Sequence, residues 1–177
     1  MKVREYIATR EVSQVIRDVD IDKVKRPLFV CGKETPDTIN DINMGDLIQL
    51  QEIKNELELL FVPCRVLLSL TDEQVSEEEY DVVLSYSCWV AKEVQRVNKL
   101  FASTSVPPTA EEKQSGAERM NFGSFGIVDW YAQRMRITNH EEVERVAWVI
   151  VYKCMDMDAQ NMRYQKRLRK ILSKKNK

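Results

Sequence analysis

A mainly α fold is what the sequence predicts, with a short β element near the N-terminus as the candidate exception. Three observations carry this. Glycine and proline are scarce, five of each in 177 residues. Apolar residues recur at spacings of three and four along most of the chain, which puts them on one face of a helix. Ser/Thr–x–x–Glu boxes, in which a hydroxyl and a carboxylate satisfy each other's orphan amides, stand before such runs at Ser76/Glu79, Thr109/Glu112 and Thr138/Glu141. The apolar content of 44% is that of an ordinary globular domain, and a chain this long can bury a core without a metal or a disulfide.

The elements follow in order. Val3, Tyr6 and Ile7 share a helical face, and Val12, Val15, Ile16 and Val19 repeat the spacing. Leu28-Phe29-Val30-Cys31, between Pro27 and Gly32, reads as a buried strand or extended segment. Residues 33–43 read as a loop, with Pro36, Asp37, Asn40 and Asp41 supplying turn chemistry. An amphipathic helix begins near Met44 and carries Leu47, Ile48, Leu50 and Ile53. Leu57 to Leu70 is strongly apolar and contains Pro63, so core is expected there, with helix on both sides of a break. Capped by Ser76 and Glu79, a helix with Tyr80, Val83, Val90, Val94 and Val97 on one face runs to about Leu100.

Residues 102–109, with Pro107-Pro108, form a stiff extended linker. It divides an N-terminal region, 1–101, from a C-terminal helical region, 110–177. Asn121 to Gly126 punctuate before a helix over Ile127–Arg136. Thr138 and Glu141 open the next, with Val143, Val146, Ile150 and Cys154 on one face, although Val149-Ile150-Val151-Tyr152 is also good strand sequence. A polar helix carrying Met162, Leu168, Ile171 and Leu172 ends the chain.

Charge is unevenly placed. Eight of the 27 basic residues lie from Arg163 onward with no acid among them: Arg163, Lys166, Arg167, Arg169, Lys170, Lys174, Lys175 and Lys177. The remaining 19 face 28 acids, a net of −9. Such a tail suits nucleic acid or an acidic protein surface, and equally suits a solvated last helix whose cations meet the negative end of the helix dipole. Charges interrupt Met1 to Glu11, so there is no signal-peptide core, and no apolar run approaches the roughly 20 residues that span a bilayer. An intracellular protein without a membrane span is the expectation. Cys31, Cys64, Cys88 and Cys154 are widely spaced and read as buried free thiols.

Chemistry-bearing patterns are weak. His140, the sole histidine, has no cysteine near it and reads as a capping or surface residue rather than a zinc ligand. Gly123-Ser124-Phe125-Gly126 is not a nucleophile elbow. Neither a catalytic residue, a metal nor a cofactor is assigned. The aromatic side chains Trp89, Phe101, Phe122, Phe125, Trp130, Tyr131 and Trp148 are the candidate partner-binding residues, if exposed together; otherwise they fill space between helices.

Asn43-Met44-Gly45-Asp46-Leu47-Ile48-Gln49-Leu50-Gln51, Cys88-Trp89-Val90 and Arg96-Val97-Asn98-Lys99-Leu100-Phe101 resemble small proteins of tailed bacteriophages, especially of Bacteroidetes hosts. So do Pro107 to Lys113, Phe122 to Ala132, and Tyr152-Lys153-Cys154. The resemblance covers most of residues 40–172 and is to tail assembly chaperones. It implies a helical viral protein without enzymatic activity. Such a protein binds the tape-measure protein in the host cytoplasm during virion assembly and forms a homo-oligomer. A second class, a virion component such as a head–tail connector or ring subunit, would pack copies through the aromatic face and turn the basic tail toward DNA. An enzyme is the third class, and no nucleophile, metal or phosphate constellation supports it.

Overall fold

The computed structural model describes residues 1–9 and 24–175. The helical pattern of Val12, Val15, Ile16 and Val19 lies outside the described residues. Nine α-helices and one two-stranded antiparallel hairpin are present among those described, so the fold is mainly α with a short β element. The chain forms two compact units, Met1–Arg96 and Val97–Lys177.

In the first unit, helix α1 (Val3–Thr9) buries Val3 and Tyr6, as its spacing predicts. Its start is held by backbone pairing: Lys2 bridges Glu79, Val3 N donates to Glu78 O at 3.0 Å, and Tyr80 N donates to Met1 O at 2.9 Å. The Tyr6 and Tyr80 rings stack with centroids 3.7 Å apart. Strands β1 (Phe29–Val30) and β2 (Lys33–Glu34) pair through a turn with positive φ at both central residues, Cys31 at +49° and Gly32 at +73°. That left-handed pair matches the twist of two strands, which is why the segment after Gly32 pairs instead of continuing as the expected loop. The segment contains the expected strand, but its expected burial is corrected. Phe29 is exposed and Val30 buried because successive side chains of a strand leave opposite faces, and Leu28, before the strand begins, is exposed as well.

Helix α2 (Met44–Gln51) is capped by Asn43, whose side chain accepts from Asp46 N, and buries Met44, Leu47 and Leu50. Helix α3 (Glu56–Leu68) runs unbroken through Pro63, where the sequence predicts a break. An interior proline costs about 3 kcal/mol. Burial of Leu60, Pro63, Cys64 and Leu68 along one face offsets it. The helix ends on Ser69 in the left-handed region, and Lys33 Nζ closes it by donating to the carbonyls of Leu68 (2.6 Å) and Ser69 (3.1 Å).

Helix α4 (Asp72–Ser76) opens on a capping box of Thr71 and Gln74. The Ser76/Glu79 box is therefore not formed: Ser76 ends α4, and the Glu79 carboxylate is taken by the Met1 ammonium at 2.8 Å. Replacing Thr71 by Ala should lower stability by about 1 kcal/mol, read from urea midpoints. Helix α5 (Tyr80–Ser103) begins in the first unit, where it buries Val83, Tyr86 and Val90, and continues into the second, where it buries Val97. The Tyr86 hydroxyl is buried without a hydrogen-bond partner among the described residues. Tyr86→Phe is accordingly expected to hold or raise stability, by up to about 1 kcal/mol, because it removes a desolvated polar atom.

In the second unit, Thr109 and Glu112 form their capping box and start α6 (Ala110–Gln114). A 3₁₀ turn (Ala117–Arg119) leads to α7 (Gly123–Met135), which buries Val128, Tyr131 and Ala132. Helix α8 (His140–Glu144) is capped by Asn139 rather than Thr138; the Asn139 side chain accepts from Glu141 N at 3.0 Å. It stops after one turn, with Arg145 N donating to Val143 O. Helix α9 (Trp148–Lys175) then runs for 28 residues. The expected division into a helix from Thr138 and a separate terminal helix is thus corrected: the break comes before Trp148. A single helix would place Val143 and Ile150 together. The break lets Val143 and Trp148 both be buried while Ile150 is 50% exposed. Val149 to Tyr152 are helical, not extended.

Candidate functional site

The seven candidate aromatic side chains do not form one surface. Tyr131 and Trp148 are buried. Phe101, half-buried, packs its ring against Trp148 at 6.1 Å and Tyr152 at 5.8 Å. In the first unit, Trp89 lies beside Tyr86 and under the Arg26 guanidinium, 5.9 Å from the ring centre. Arg134 covers Trp130 in the same way at 5.7 Å. Phe122 and Phe125 are different: they are 71% and 62% exposed, and Met120 beside them is 64% exposed. They mark the entry to α7, where Gly123 takes a positive φ of 56° and Asn121 accepts from its amide. Gly126 allows this turn, since a Cβ there would stand 2.6 Å from Phe122 Cβ.

His140 begins α8, with Nε2 3.2 Å from Asp129 Oδ1 and its ring 5.2 Å from that of Phe125. This contact ties α8 to α7. Among the described residues no group of three His, Cys, Asp or Glu side chains is placed to hold a metal, and no helix is long and apolar enough to cross a membrane.

Of the basic cluster, Arg163 and Lys166 face inward. Arg163 donates to the carbonyls of Ser103 and Ser105, and Lys166 donates to Pro107 O at 2.9 Å and pairs with Glu112 at 3.0 Å. These contacts hold the extended residues 105–109 against α9. Arg167, Arg169, Lys170 and Lys174 are exposed. The Lys175 side chain and Lys177 lie outside the described residues.

The cysteines are free thiols; Cys64 and Cys88 are buried as expected, whereas the expected burial of Cys31 and Cys154 is corrected, both being half-buried. Cys31 borders a shallow notch with Glu73, Gln74, Glu77 and Glu78. Burial, with the adjacent Glu78 carboxylate, pushes its thiol up to about 11; burial pushes Cys64 up to about 12. A thiol at about 11 is thiolate in only about one part per thousand at pH 8, so neither is an activated nucleophile. In the native protein, Cys31 labelling by a disulfide reagent should rise about tenfold per pH unit between pH 7 and 10. A rate that levels off at about pH 9 would show a normal thiol.

Sequence reasoning missed the outer face of α9. Ile150, Met157, Tyr164 and Ile171 recur at intervals of seven and are 50–58% exposed, on the side of the helix away from buried Trp148, Val151 and Ala159. The seven-residue interval was the available signal, and it crosses the boundary at which the sequence suggested two helices.

No protein-family model matches the chain, and neither does any curated protein or solved structure.

Proposed function

We propose that this chain is a non-enzymatic bacteriophage assembly protein, a tail assembly chaperone that holds the tape-measure protein while the tail tube forms. One observation carries the reading. Among the described residues, ten of the fourteen exposed large apolar side chains lie from Met120 onward, at the two ends of α7 and along α9. Four of them stand at seven-residue intervals on the outer face of α9, and an exposed apolar stripe of this kind marks a protein-interaction site. Its occupant in this reading is a long helical client, and the resemblance of residues 40–172 to tail assembly chaperones names that client.

Tagged protein drawn from infected cells should bring down the tape-measure protein, and purified virions should lack peptides of this chain. Stoichiometric peptides in virions would overturn the chaperone reading.

The exposed bases Arg167, Arg169, Lys170 and Lys174 favour a second reading, a head–tail connector or ring subunit facing DNA. Changing these four to Gln should then flatten the salt dependence of duplex DNA binding by about 0.9 log unit per lost phosphate contact. Absence of salt-sensitive binding in the unaltered protein would remove that reading.

A further inference from the structure

We propose that the outer face of α9 docks a single partner helix, one with an apolar seam and acidic flanks, in a two-stranded coiled coil. The inference rests on the proposed function, whose client it describes by chemistry, but its geometry comes from α9 alone. Ile150, Met157, Tyr164 and Ile171 stand at intervals of seven. Cys154, Asn161 and Leu168 stand four residues after the first three. Together these are the alternating d and a positions of three heptads. The stripe spans about 32 Å of helix at 1.5 Å per residue. Every d residue is at least 50% exposed, and Asn161 is exposed between them. The helix therefore has two apolar faces: one is spent on Trp148, Val151 and Ala159 in the core, and the opposite one is unfilled.

Charge selects the occupant. The residues just before the three a positions are Lys153, Gln160 and Arg167, and Lys174 continues that row seven residues on, with no acid among them. From Arg163 on, Arg167, Arg169, Lys170 and Lys174 are exposed, and no carboxylate lies in the sequence beside them. The one acid flanking the seam, Asp158, is paired with Arg134. A second copy of this chain fits poorly. Laid parallel, two copies would bring their basic ends together. Laid antiparallel, with apolar layers matched, Lys153 of one would face Arg167 of the other. Like charges at these flanking positions oppose association, whereas Glu or Asp on a partner would pair with both ends of the stripe. Asn161 adds a register signal, since a polar residue at one a position favours the alignment that meets another polar group.

The full-length protein should be titrated with three synthetic helical peptides of four heptads, read by fluorescence anisotropy. The first has Leu at a and d and Glu at e and g. The second has Lys at e and g. The third has the composition of the first with its apolar residues scattered round the helix. The first should bind about tenfold or more tighter than either of the others. Met157→Asp and Ile171→Asp should each weaken it by about tenfold. Both sites are exposed, so circular dichroism melts should be unchanged. R167E/K174E should shift preference toward the Lys-flanked peptide.

Equal binding of the first and third peptides would reduce the face to a non-specific basic surface and overturn the proposal, as would no binding at all. A dimer in sedimentation that Met157→Asp dissociates would overturn it in favour of a second copy. Failure here is distinguishable from failure of the chaperone reading. Peptide binding by a chain found in mature virions would refute only the latter. Capture of the tape-measure protein by the Met157→Asp and Ile171→Asp variants at undiminished yield would refute only the docking face.

Discussion

Replacing Trp148 by Ala should lower the unfolding free energy by about 3–5 kcal/mol, the largest loss expected of any single change in the second unit. Trp148 is 2% exposed. Its ring centre lies 6.1 Å from that of Phe101 and 6.4 Å from that of Tyr152, and those two lie 5.8 Å apart in an edge-to-face arrangement. Truncation removes buried area, opens a cavity and dissolves this three-ring cluster. In a chain of this length the midpoint should fall by about 10 °C. Trp148→Phe should cost less than half as much, because much of the volume stays. Phe122→Ala is the control: with the ring 71% exposed, the change should be within about 0.5 kcal/mol. A loss below about 1 kcal/mol for Trp148→Ala would mean that the cluster does not form in solution.

Glu78 should be the most sensitive polar position of the first unit. Its carboxylate accepts from the amides of Cys31 and Glu79, and its backbone carbonyl accepts from Val3 N at 3.0 Å. One residue thus joins the hairpin turn, the start of α5 and the start of α1. Glu78→Ala removes two hydrogen bonds to a charged acceptor and leaves the Cys31 amide without this partner, at a cost of about 2 kcal/mol. The same geometry sets a pH dependence. The amide of Glu79 first, and then that of Cys31, hold the Glu78 carboxyl below the usual glutamate value, against the opposing effect of burial. A depressed folded-state value means that the unfolded chain binds the proton more readily. The contribution is therefore fully present above the unfolded value of about 4.3 and is lost as pH falls through the lower folded one. Urea midpoints of the parent and of Glu78→Gln should differ at pH 7 and converge toward pH 3. A gap that stays constant would show that the carboxylate charge has no part in the contact.

Periodicity and caps made much of the secondary structure legible. The face shared by Val3 and Tyr6, the helix beginning at Met44, the long helix through Val83, Val90 and Val97, and the Thr109/Glu112 box all depend on neighbours three or four residues away. A helix is built from such local relations, so their signals survive in the sequence. The lack of a membrane-length apolar helix among the described residues is a reading of the same local kind.

Tertiary structure decided the rest, and each case has a long-range cause. Pro63 remains inside a helix because the face it shares with Leu60, Cys64 and Leu68 is buried. Ser76 loses its capping role because it ends α4 and the Glu79 amide is taken by the Glu78 carboxylate, which also holds the hairpin turn 47 residues away. The break before Trp148 reflects where that ring is buried, not any proline or glycine in the segment. Which aromatic side chains are core and which are exposed follows from the same burial, and Phe122 and Trp148 are indistinguishable by composition or spacing. The outer face of α9 emerges only once the two expected helices are one. Local propensity determines where helices form; competition among them for a limited interior determines which faces are left to meet a partner.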